Sequence, residues 1–318
     1  MPSPDRFGVL LMTYGSPSSL DDVPRYLAAI RGGRPASDDL ATEFRRRYAV
    51  IGGSPLVPIT QAQAAAVEAA LDGEAVVRAA MRFSEPTIEQ ALAELARAGV
   101  DEVVAIIMSP QYSPLIMGGY GRAVDAARAS LGPDAPAVSL AGDWHAEPGF
   151  VAAVADRIGQ AIDRLPADER ASAPVLLTAH SLPRRVADEE PEYLRQLEDT
   201  AERIASAAAI ASDRWRFCWQ SAGHEPGEWM KPDFADLMPL LAAEGHRSVV
   251  VAPVQFLADH LEILYDVDVG AREQAESAGL RFERIESLNT HPSFIAALAA
   301  IARATRASDP RVPARTRT

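Results

Sequence analysis

The sequence predicts an α/β protein with two similar Rossmann-like domains, each a four-stranded parallel sheet flanked by helices. Short β-rich apolar runs alternate with Ala-rich helical stretches, a pattern typical of parallel sheets whose strands are covered on both faces. The eight strand-like runs fall into two groups of four. Segment 9–17 also resembles segment 175–183 without a gap, so the two groups look like halves of one repeat.

The strands are predicted at 7–13, 75–80, 103–109 and 137–141 in the first group, and at 174–179, 215–219, 248–253 and 281–285 in the second. Helical patterns fill most of the gaps, at 61–71, 87–98, 121–131, 150–165, 191–209, 233–243, 259–278 and 292–304. These elements define an N-terminal domain over 1–142 and a C-terminal domain over 143–305, whose last helix is a candidate to pack back on the first domain. The polar, Pro-containing segment 306–318 is predicted to be disordered.

The chain has 318 residues, with 31 Lys and Arg against 44 Asp and Glu, and a formal net charge of −13. This balance argues against nucleic acid as the main partner, because phosphate binding depends on clustered cations. No stretch reaches the ~18 apolar residues of a membrane span. No segment of signal-peptide type opens the chain, so a cytoplasmic location is expected. The single Cys218 excludes an intramolecular disulfide and an all-cysteine iron–sulfur cluster held by this chain alone.

The repeat makes Tyr14 and His180 equivalent, each just past the carboxyl end of the first strand of its half. Open α/β sheets bind ligands at this edge, so both residues are expected at a crevice between the domains. The phosphate-binding motifs G-x-x-x-x-G-K-[ST] and G-x-G-x-x-G after a strand are absent, and so is the nucleophile elbow G-x-S-x-G. The sequence therefore lacks the motifs that usually indicate a kinase, a dehydrogenase or a hydrolase.

His180 and a row of acids form the first candidate site. The imidazole can accept a proton or bind a borderline metal near neutral pH, although a histidine satisfied by local backbone is the alternative. Asp259, Glu262 and Asp266 recur at helical spacing, which predicts three carboxylates on one helix face. Carboxylate with imidazole suits hard and borderline divalent ions, whereas the alternative is a solvated acidic face.

A second candidate group could bind carboxylates through Arg and Ser side chains and line a flat ligand with aromatic faces. Each member taken alone is more often a surface or packing residue. The group comprises Arg31, Arg34, Arg47, Ser54, Tyr112, Tyr120, Arg122, Trp219, Ser221 and Trp229.

Five segments together resemble the ferrochelatases: Tyr-Gly-Ser-Pro at 14–17, Ile-Gly-Gly-Ser-Pro-Leu at 51–56, Ala-His-Ser-Leu-Pro at 179–183, Trp-Gln-Ser at 219–221 and Asp-His-Leu-Glu-Ile-Leu-Tyr-Asp at 259–266. The likeness runs from about residue 7 to residue 305. It implies a lyase of haem biosynthesis that inserts Fe²⁺ into a porphyrin held in a cleft between two chelatase-like domains. Fe²⁺ and the porphyrin are then substrates, and no permanently bound cofactor is expected.

The resemblance assigns His180 and Glu262 to the catalytic pair that handles the metal and the pyrrole protons on one porphyrin face. Asp266 and Asp268 would continue this pair as an acidic relay. Gly270 stands where related enzymes carry a further acid, so the extent of the relay is left open.

Tyr14 points to a subgroup, the coproporphyrin III ferrochelatases of Gram-positive type, in which this tyrosine contacts the metal from the face opposite the histidine. In protoporphyrin enzymes the corresponding loop tends to have a different sequence. A Lys-His pair of some relatives is Arg82-Phe83 here, so no metal role transfers to Phe83. The resemblance implies porphyrin or propionate binding by Tyr14, Arg31, Arg47, Ser54, Tyr120 and Ser221.

The resemblance implies coproporphyrin III and Fe²⁺ as partners. A coproheme-processing enzyme that receives the product in a transient contact is a further candidate partner. By resemblance the protein is expected to be a monomer, and the iron–sulfur cluster of some relatives should be absent. Three alternatives stay open: a protoporphyrin IX ferrochelatase, a chelatase whose preferred metal is cobalt or another ion, and a non-catalytic porphyrin or haem carrier on the same fold. Glu262 and Asp266 favour an enzyme, because a carrier has little use for an acid relay.

Overall fold

The computed structural model describes residues 6–223 and 227–308. Each strand predicted from the sequence is present, with its ends displaced by no more than two residues. The strands are β1 (Phe7–Thr13), β2 (Ala75–Met81), β3 (Glu102–Ile107), β4 (Ala137–Leu140), β5 (Val175–His180), β6 (Trp215–Gln220), β7 (Ser248–Pro253) and β8 (Arg281–Arg284).

The helices are α1 (Val23–Ile30), α2 (Asp38–Val50), α3 (Leu56–Ala70), α4 (Ile88–Arg97), α5 (Pro114–Leu131), α6 (Pro148–Arg164), α7 (Arg184–Glu189), α8 (Pro191–Ala207), α9 (Phe234–Ala243), α10 (Arg272–Ser277) and α11 (Pro292–Ser308), with a 3₁₀ turn at Gly132–Asp134. Three of them, α1, α2 and α7, were not predicted. Helix α2 is rich in charge and fully buries only Ala41 and Tyr48 of its apolar side chains, so it lacks the apolar stripe that reveals a helix. Among the helices of the described residues, none combines the length and apolar character needed to cross a membrane.

The prediction of one α-helix over 259–278 is wrong in its first half. There the chain forms a π-helix (Glu262–Ala271), and only α10 after it is α-helical. The backbone N–H of Arg272 donates to the carbonyl of Val267, five residues back instead of the four of an α-helix. The spacing of apolar residues indicates which face of a helix is buried, but it does not indicate which carbonyl each backbone N–H bonds to. The sequence therefore could not distinguish the π-helix from an α-helix.

The first compact unit consists of residues 6–46, 53–144 and 289–308. Its four strands form one parallel sheet in the order β2-β1-β3-β4. The central strand β1 is buried at all seven positions, because α3, α4 and α11 contact strands of this sheet and shield it from water.

The second compact unit consists of residues 47–52 and 145–288. Its parallel sheet has the order β6-β5-β7-β8, the same connectivity as in the first unit. Helices α6, α8 and α9 contact this sheet, and the π-helix adds Ile263 and Val267 to a core that also contains Met238 and Val251. The two similar Rossmann-like halves predicted from the sequence are therefore confirmed.

The compact units differ from the sequence division at 142/143 in three places. Residues 47–52 group with the second unit, whereas residues 143–144 and residues 289–308, which contain α11, group with the first. Helix α11 ends at Ser308, so 306–308 of the segment predicted to be disordered are helical, and 309–318 lie outside the described residues. A division of function along 1–142 and 143–305 stays a prediction.

Both units carry the same local arrangement where the second strand of the sheet meets the next helix. A backbone N–H near the strand end donates to a proline carbonyl, from Met81 to Pro86 at 2.7 Å in the first unit and from Trp219 to Pro232 at 2.8 Å in the second. Both prolines follow cis peptide bonds. The residue after each proline is the N-cap of the next helix and closes a capping box. The repeat seen in the sequence thus extends to backbone detail.

Candidate active site

His180, the last residue of β5, has its ring oriented by its own backbone neighbourhood. Its Nδ1 lies 2.5 Å from the carbonyl oxygen of Ser181. Because a carbonyl oxygen only accepts, Nδ1 carries the hydrogen, and Nε2 is the nitrogen that can take a proton. Nε2 lies 3.9 Å from Oε1 of Glu262. The predicted pair is therefore brought together, with the proton-accepting nitrogen facing the carboxylate.

Gln255 and Tyr193 hold the strand end at His180, and neither role was predicted from the sequence. The backbone N–H of His180 donates to Oε1 of Gln255 at 2.8 Å, and Nε2 of Gln255 hydrogen-bonds to the hydroxyl oxygen of Tyr193. Tyr193 is almost fully buried in α8, and burial raises the pKa of its hydroxyl. The sequence feature that could have indicated the role of Gln255 is its position just after the end of the neighbouring strand β7.

Glu262 opens the π-helix and lies between two histidines. Its Oε1 faces His180, and its Oε2 lies 3.8 Å from Nε2 of His260. Burial raises the pKa of Glu262, but the charges of His180 and His260 outweigh it and hold the pKa at about 2. The side chain keeps 35% exposure, so the ionised carboxylate remains within reach of a cation.

Asp266 lies further along the same π-helix, and its pKa moves the opposite way. Burial raises the pKa of Asp266; a hydrogen bond from Ser221 opposes this rise, and the charge of Glu262 adds to it. The guanidinium of Arg47, with Nη1 3.7 Å from Oδ1, also opposes it. Two carboxylates on one helix with pKa values pushed apart are what acid–base chemistry at a single site requires.

Asp259 and Asp268 are not part of this pair, because both contact Arg284 at the end of β8. Nε and Nη2 of Arg284 donate to the two carboxylate oxygens of Asp268 at 2.6 and 2.9 Å. Nη2 also lies 3.5 Å from Oδ1 of Asp259, which accepts a hydrogen bond from Ser287 at 2.7 Å. Asp259 precedes the π-helix, so the predicted row of three carboxylates on one helix face is wrong. A relay through Asp268 stays a prediction, with its carboxylate already bound to an arginine.

Tyr14 follows β1 directly in the first unit, and it is 44% exposed. Its ring packs edge-on against Phe83 at 4.6 Å. The next residue, Gly15, has φ of +93°, and a Cβ there would lie 2.3 Å from Oγ of Ser84. The hydroxyl of Tyr26 donates to the Gly15 carbonyl at 2.9 Å. Only glycine fits this turn, which holds Tyr14 at the carboxyl end of the sheet.

Tyr120 lies in α5 and is buried. Burial raises the pKa of Tyr120, the charge of Arg82 opposes this rise, and Tyr14 adds to it. The structure thus brings Tyr14 and Tyr120 into the same part of the first unit, together with Arg82.

The remaining candidates of the first unit lie at helix ends and on helix surfaces. Arg31 is the exposed C-cap residue of α1, and its carbonyl accepts from Nε of Arg34 at 3.2 Å. Oγ of Ser54 accepts from the backbone N–H of Leu56 at 3.4 Å, just before α3. Tyr112 is half-buried, and Arg122 is exposed on α5.

The aromatic candidates of the second unit have different surroundings. Trp219 is buried and packs at a right angle against Phe217, with ring centroids 5.1 Å apart. Trp229 lies beside His180, with centroids 6.5 Å apart. Trp229 is therefore the aromatic side chain that can line a flat ligand near the histidine.

Cys218 is buried in the core of the second unit, and burial raises the pKa of its thiol. Within 6–223 and 227–308, no cluster of three or more His, Cys, Asp or Glu side chains is arranged to hold a metal ion.

Two solved structures share this fold. SirB from Bacillus subtilis with Fe³⁺ superposes with a TM-score of 0.58 at 13% identity, covering 94% of this chain and 95% of that one. CbiX, described as the terminal enzyme for biosynthesis of siroheme in denitrifying bacteria, gives 0.55 at 18% identity, covering 94% and 99%. At these identities the likeness shows the fold alone, and that fold is the predicted chelatase-like one.

Comparison of the sequence with known proteins shows the family to which the chain belongs. A coproporphyrin III ferrochelatase of Geobacillus thermodenitrificans is 38% identical over 301 residues, covering 92% of this chain and 94% of the relative. A coproporphyrin III ferrochelatase of Bacillus subtilis is 34% identical over 303 residues, covering 93% and 96%. A ferrochelatase of Deinococcus radiodurans is 37% identical over 303 residues, covering 92% and 94%. The family model described as Ferrochelatase matches residues 6–306, and the chain belongs to this family.

Proposed function

We propose that the protein inserts Fe²⁺ into coproporphyrin III and releases coproheme. The observation that carries this proposal is the group of His180, Glu262 and Asp266, in which an imidazole stands beside one carboxylate held ionised and near another that is more easily protonated. The substrate is supported by relatives at 34% and 38% identity that are named coproporphyrin III ferrochelatases.

Metal insertion requires that the two pyrrole N–H protons leave the ring as the metal enters. His180 accepts these protons one at a time at Nε2, because its Nδ1 is already protonated and bound to a carbonyl. Glu262 is ionised at neutral pH, so it attracts Fe²⁺ and stabilises the imidazolium that forms. Asp266, whose pKa is raised, takes up the proton next and passes it to solvent. A further step through Asp268 would have to displace Arg284.

A free porphyrin is planar, so the ring must bend before the metal can reach all four nitrogens. Contacts far from the reacting nitrogens can offset this strain of ~1–5 kcal/mol. We assign these contacts to the predicted set: Arg31, Ser54 and Tyr120 in the first unit, and Arg47 and Ser221 in the second. Tyr14 contacts the metal from the face opposite His180, which also stays a prediction.

The choice of coproporphyrin over protoporphyrin rests on charge as well as on the relatives. Coproporphyrin carries four propionate groups, whereas protoporphyrin carries two and has vinyl groups in place of the others. A protein of net charge −13 must bind such a polyanion through local cations, because its overall field opposes the encounter. The Arg side chains assigned above supply that local charge.

The test is anaerobic insertion of Fe²⁺ by the purified protein, followed as loss of porphyrin fluorescence, with coproporphyrin III and protoporphyrin IX compared at equal concentration. We expect turnover with coproporphyrin III at the higher kcat/KM. Preference for protoporphyrin IX would overturn the substrate assignment. Tight porphyrin binding without turnover would instead indicate a carrier.

Analysis of the same preparation for iron and acid-labile sulfide tests the predicted absence of an iron–sulfur cluster. We expect neither to be present in stoichiometric amounts. A stoichiometric content of both would overturn that prediction.

A further inference from the structure

Arg82 is a cation of the first unit that the steps above do not use. Strands β1 and β2 pair in parallel, with Thr13 opposite Met81. The pairing continues past the strand ends, because the N–H of Arg82 donates to the carbonyl of Thr13 at 2.9 Å and the N–H of Phe83 donates to that of Tyr14 at 3.1 Å. The register therefore places Arg82 beside Tyr14 at the carboxyl end of the sheet, where parallel α/β sheets bind ligands.

The guanidinium of Arg82 lies on a surface that fits it closely. Its Cζ is 4.6 Å from the ring centroid of Phe83 and 5.3 Å from that of Tyr120, both within cation–π range. A Cβ added at Gly119 would lie 1.9 Å from Nη2. The glycine leaves the space that the guanidinium fills, and the two rings hold it there. We call Arg82, Phe83, Gly119 and Tyr120 the Arg82 shelf.

The shelf holds a charge that has no anionic partner among residues 6–223 and 227–308. Within the part of the chain that the structure describes, the guanidinium of Arg82 makes no ion pair and donates no hydrogen bond. By contrast, Arg284 donates to both oxygens of Asp268, and Arg303 pairs with Glu74. A guanidinium presents a planar fork of N–H donors that matches a carboxylate. Arg82 is thus positioned by aromatic faces while its donors stay unused.

We infer that Arg82 binds a carboxylate of the tetrapyrrole substrate, in addition to the arginines assigned above. This inference rests on the proposed function, because that function supplies a ligand with several carboxylates. The shelf orients the guanidinium before the ligand arrives, so less side-chain freedom is lost on binding. Phe83 contributes an apolar face to the same position and needs no metal-binding role.

The test measures the Kd of coproporphyrin III by fluorescence titration for four variants and the unaltered protein. Arg82→Met removes the charge, and we expect Kd to rise about tenfold, the usual scale for loss of a charge-assisted hydrogen bond. Arg82→Lys keeps a point charge without the fork, and its Kd should be intermediate. Gly119→Ala keeps the charge but displaces the guanidinium, so its Kd should also rise.

Gly118→Ala is the matched control, because it makes the same change one residue away. Its Cβ would meet only Nη1 of Arg122, at 3.3 Å. We expect its Kd to stay within twofold of the unaltered protein. The melting temperature of each variant is measured in parallel, since a purely structural Arg82 would lower it without changing Kd.

Unchanged Kd in both Arg82→Met and Gly119→Ala would overturn the inference, provided that the unaltered protein binds coproporphyrin III. If the unaltered protein does not bind this porphyrin, the proposed function itself fails. The experiment therefore distinguishes failure of the proposed function from failure of the inference about Arg82. A rise in Kd for Gly118→Ala equal to that for Gly119→Ala would also overturn it, because the effect would then come from the helix and not from the shelf.

Discussion

The two units have the same strand order, yet the carboxyl ends of their sheets carry different chemistry. In the first unit this edge presents aromatic rings and an arginine, with Tyr14 and Arg82 side by side. In the second unit it presents groups that titrate, with His180 facing Glu262. The same sheet edge therefore carries different groups in the two units. In the first unit they are suited to holding an anionic flat ligand, and in the second they are suited to moving protons.

The difference arises largely in two segments. After the second strand of each sheet, the connecting loop spans only 82–86 in the first unit but 221–232 in the second, of which 224–226 lie outside the described residues. The longer loop carries Trp229 to the side of His180 and Ser221 to Asp266. The second segment is the π-helix, which supplies Glu262 and Asp266; the first unit has the α-helix α5 at the same place, between its third and fourth strands.

The largest effect should come from removing the proton acceptor. His180→Ala should lower kcat for Fe²⁺ insertion by about 100- to 10,000-fold, the usual range for loss of a general base. Its Kd for coproporphyrin III should change less than threefold, because the binding groups are left in place. Single-turnover kinetics with a parallel titration separates the two quantities. A variant that loses binding and keeps its single-turnover rate would contradict the assignment of His180 as the proton acceptor.

The next effect concerns stability. Arg284→Met should lower the free energy of unfolding by about 2–4 kcal/mol, because it leaves the partly buried carboxylates of Asp259 and Asp268 without their cation. Arg303→Met removes the exposed pair with Glu74 in the first unit and should cost less than about 1 kcal/mol. Urea unfolding measures both. Equal losses would show that the arginine in the second unit is no more than a surface charge.

Two arginines assigned to the same task should behave differently. Arg31→Ala should raise the Kd of coproporphyrin III by about tenfold with little change in kcat, since Arg31 is the exposed C-cap residue of α1 and is assigned to porphyrin binding alone. Arg47→Ala should raise Kd and also lower kcat, because Arg47 lies against Asp266 and over the ring of Tyr265. Steady-state kinetics of both variants provides the measurement. A kcat that falls only for Arg31→Ala would contradict the assignment.

The smallest effect is a pH dependence of stability at Glu262. Its pKa is lowered in the folded protein, so its carboxylate stabilises the fold above the ordinary value of 4.5, and this contribution is lost as the pH falls towards about 2. The difference in unfolding free energy between the protein and Glu262→Gln should therefore shrink as the pH is lowered from 6 to 3. Urea titrations across that range test the sign. A difference that grows towards low pH would mean that Glu262 is not held ionised.

The sequence predicted every strand because a parallel strand covered on both faces is a continuous apolar run, as β1 shows. It also predicted that His180 and Glu262 meet. The contacts of Asp259 and Asp268 could not be predicted, because their partner Arg284 lies on another strand. The prediction that Asp259 shares a helix face with Glu262 also assumed an α-helix. A binding role for Arg82 could not be predicted for a similar reason, since its position beside Tyr14 follows only from the pairing of two distant strands.

The loops that follow β2 and β6 are fastened at both ends in the same way. A strand N–H bonds back to the proline carbonyl, and a capping box at Thr87 or Asp233 starts the next helix. In the first unit, Arg82, Phe83, Ser84 and Pro86 all make bonds that hold the strand ends, so the position open to change is Glu85. An insertion between Ser84 and Glu85 would keep these bonds, just as the second unit already accommodates a longer loop, and would give the Tyr14 side a new ligand preference without rebuilding the sheet.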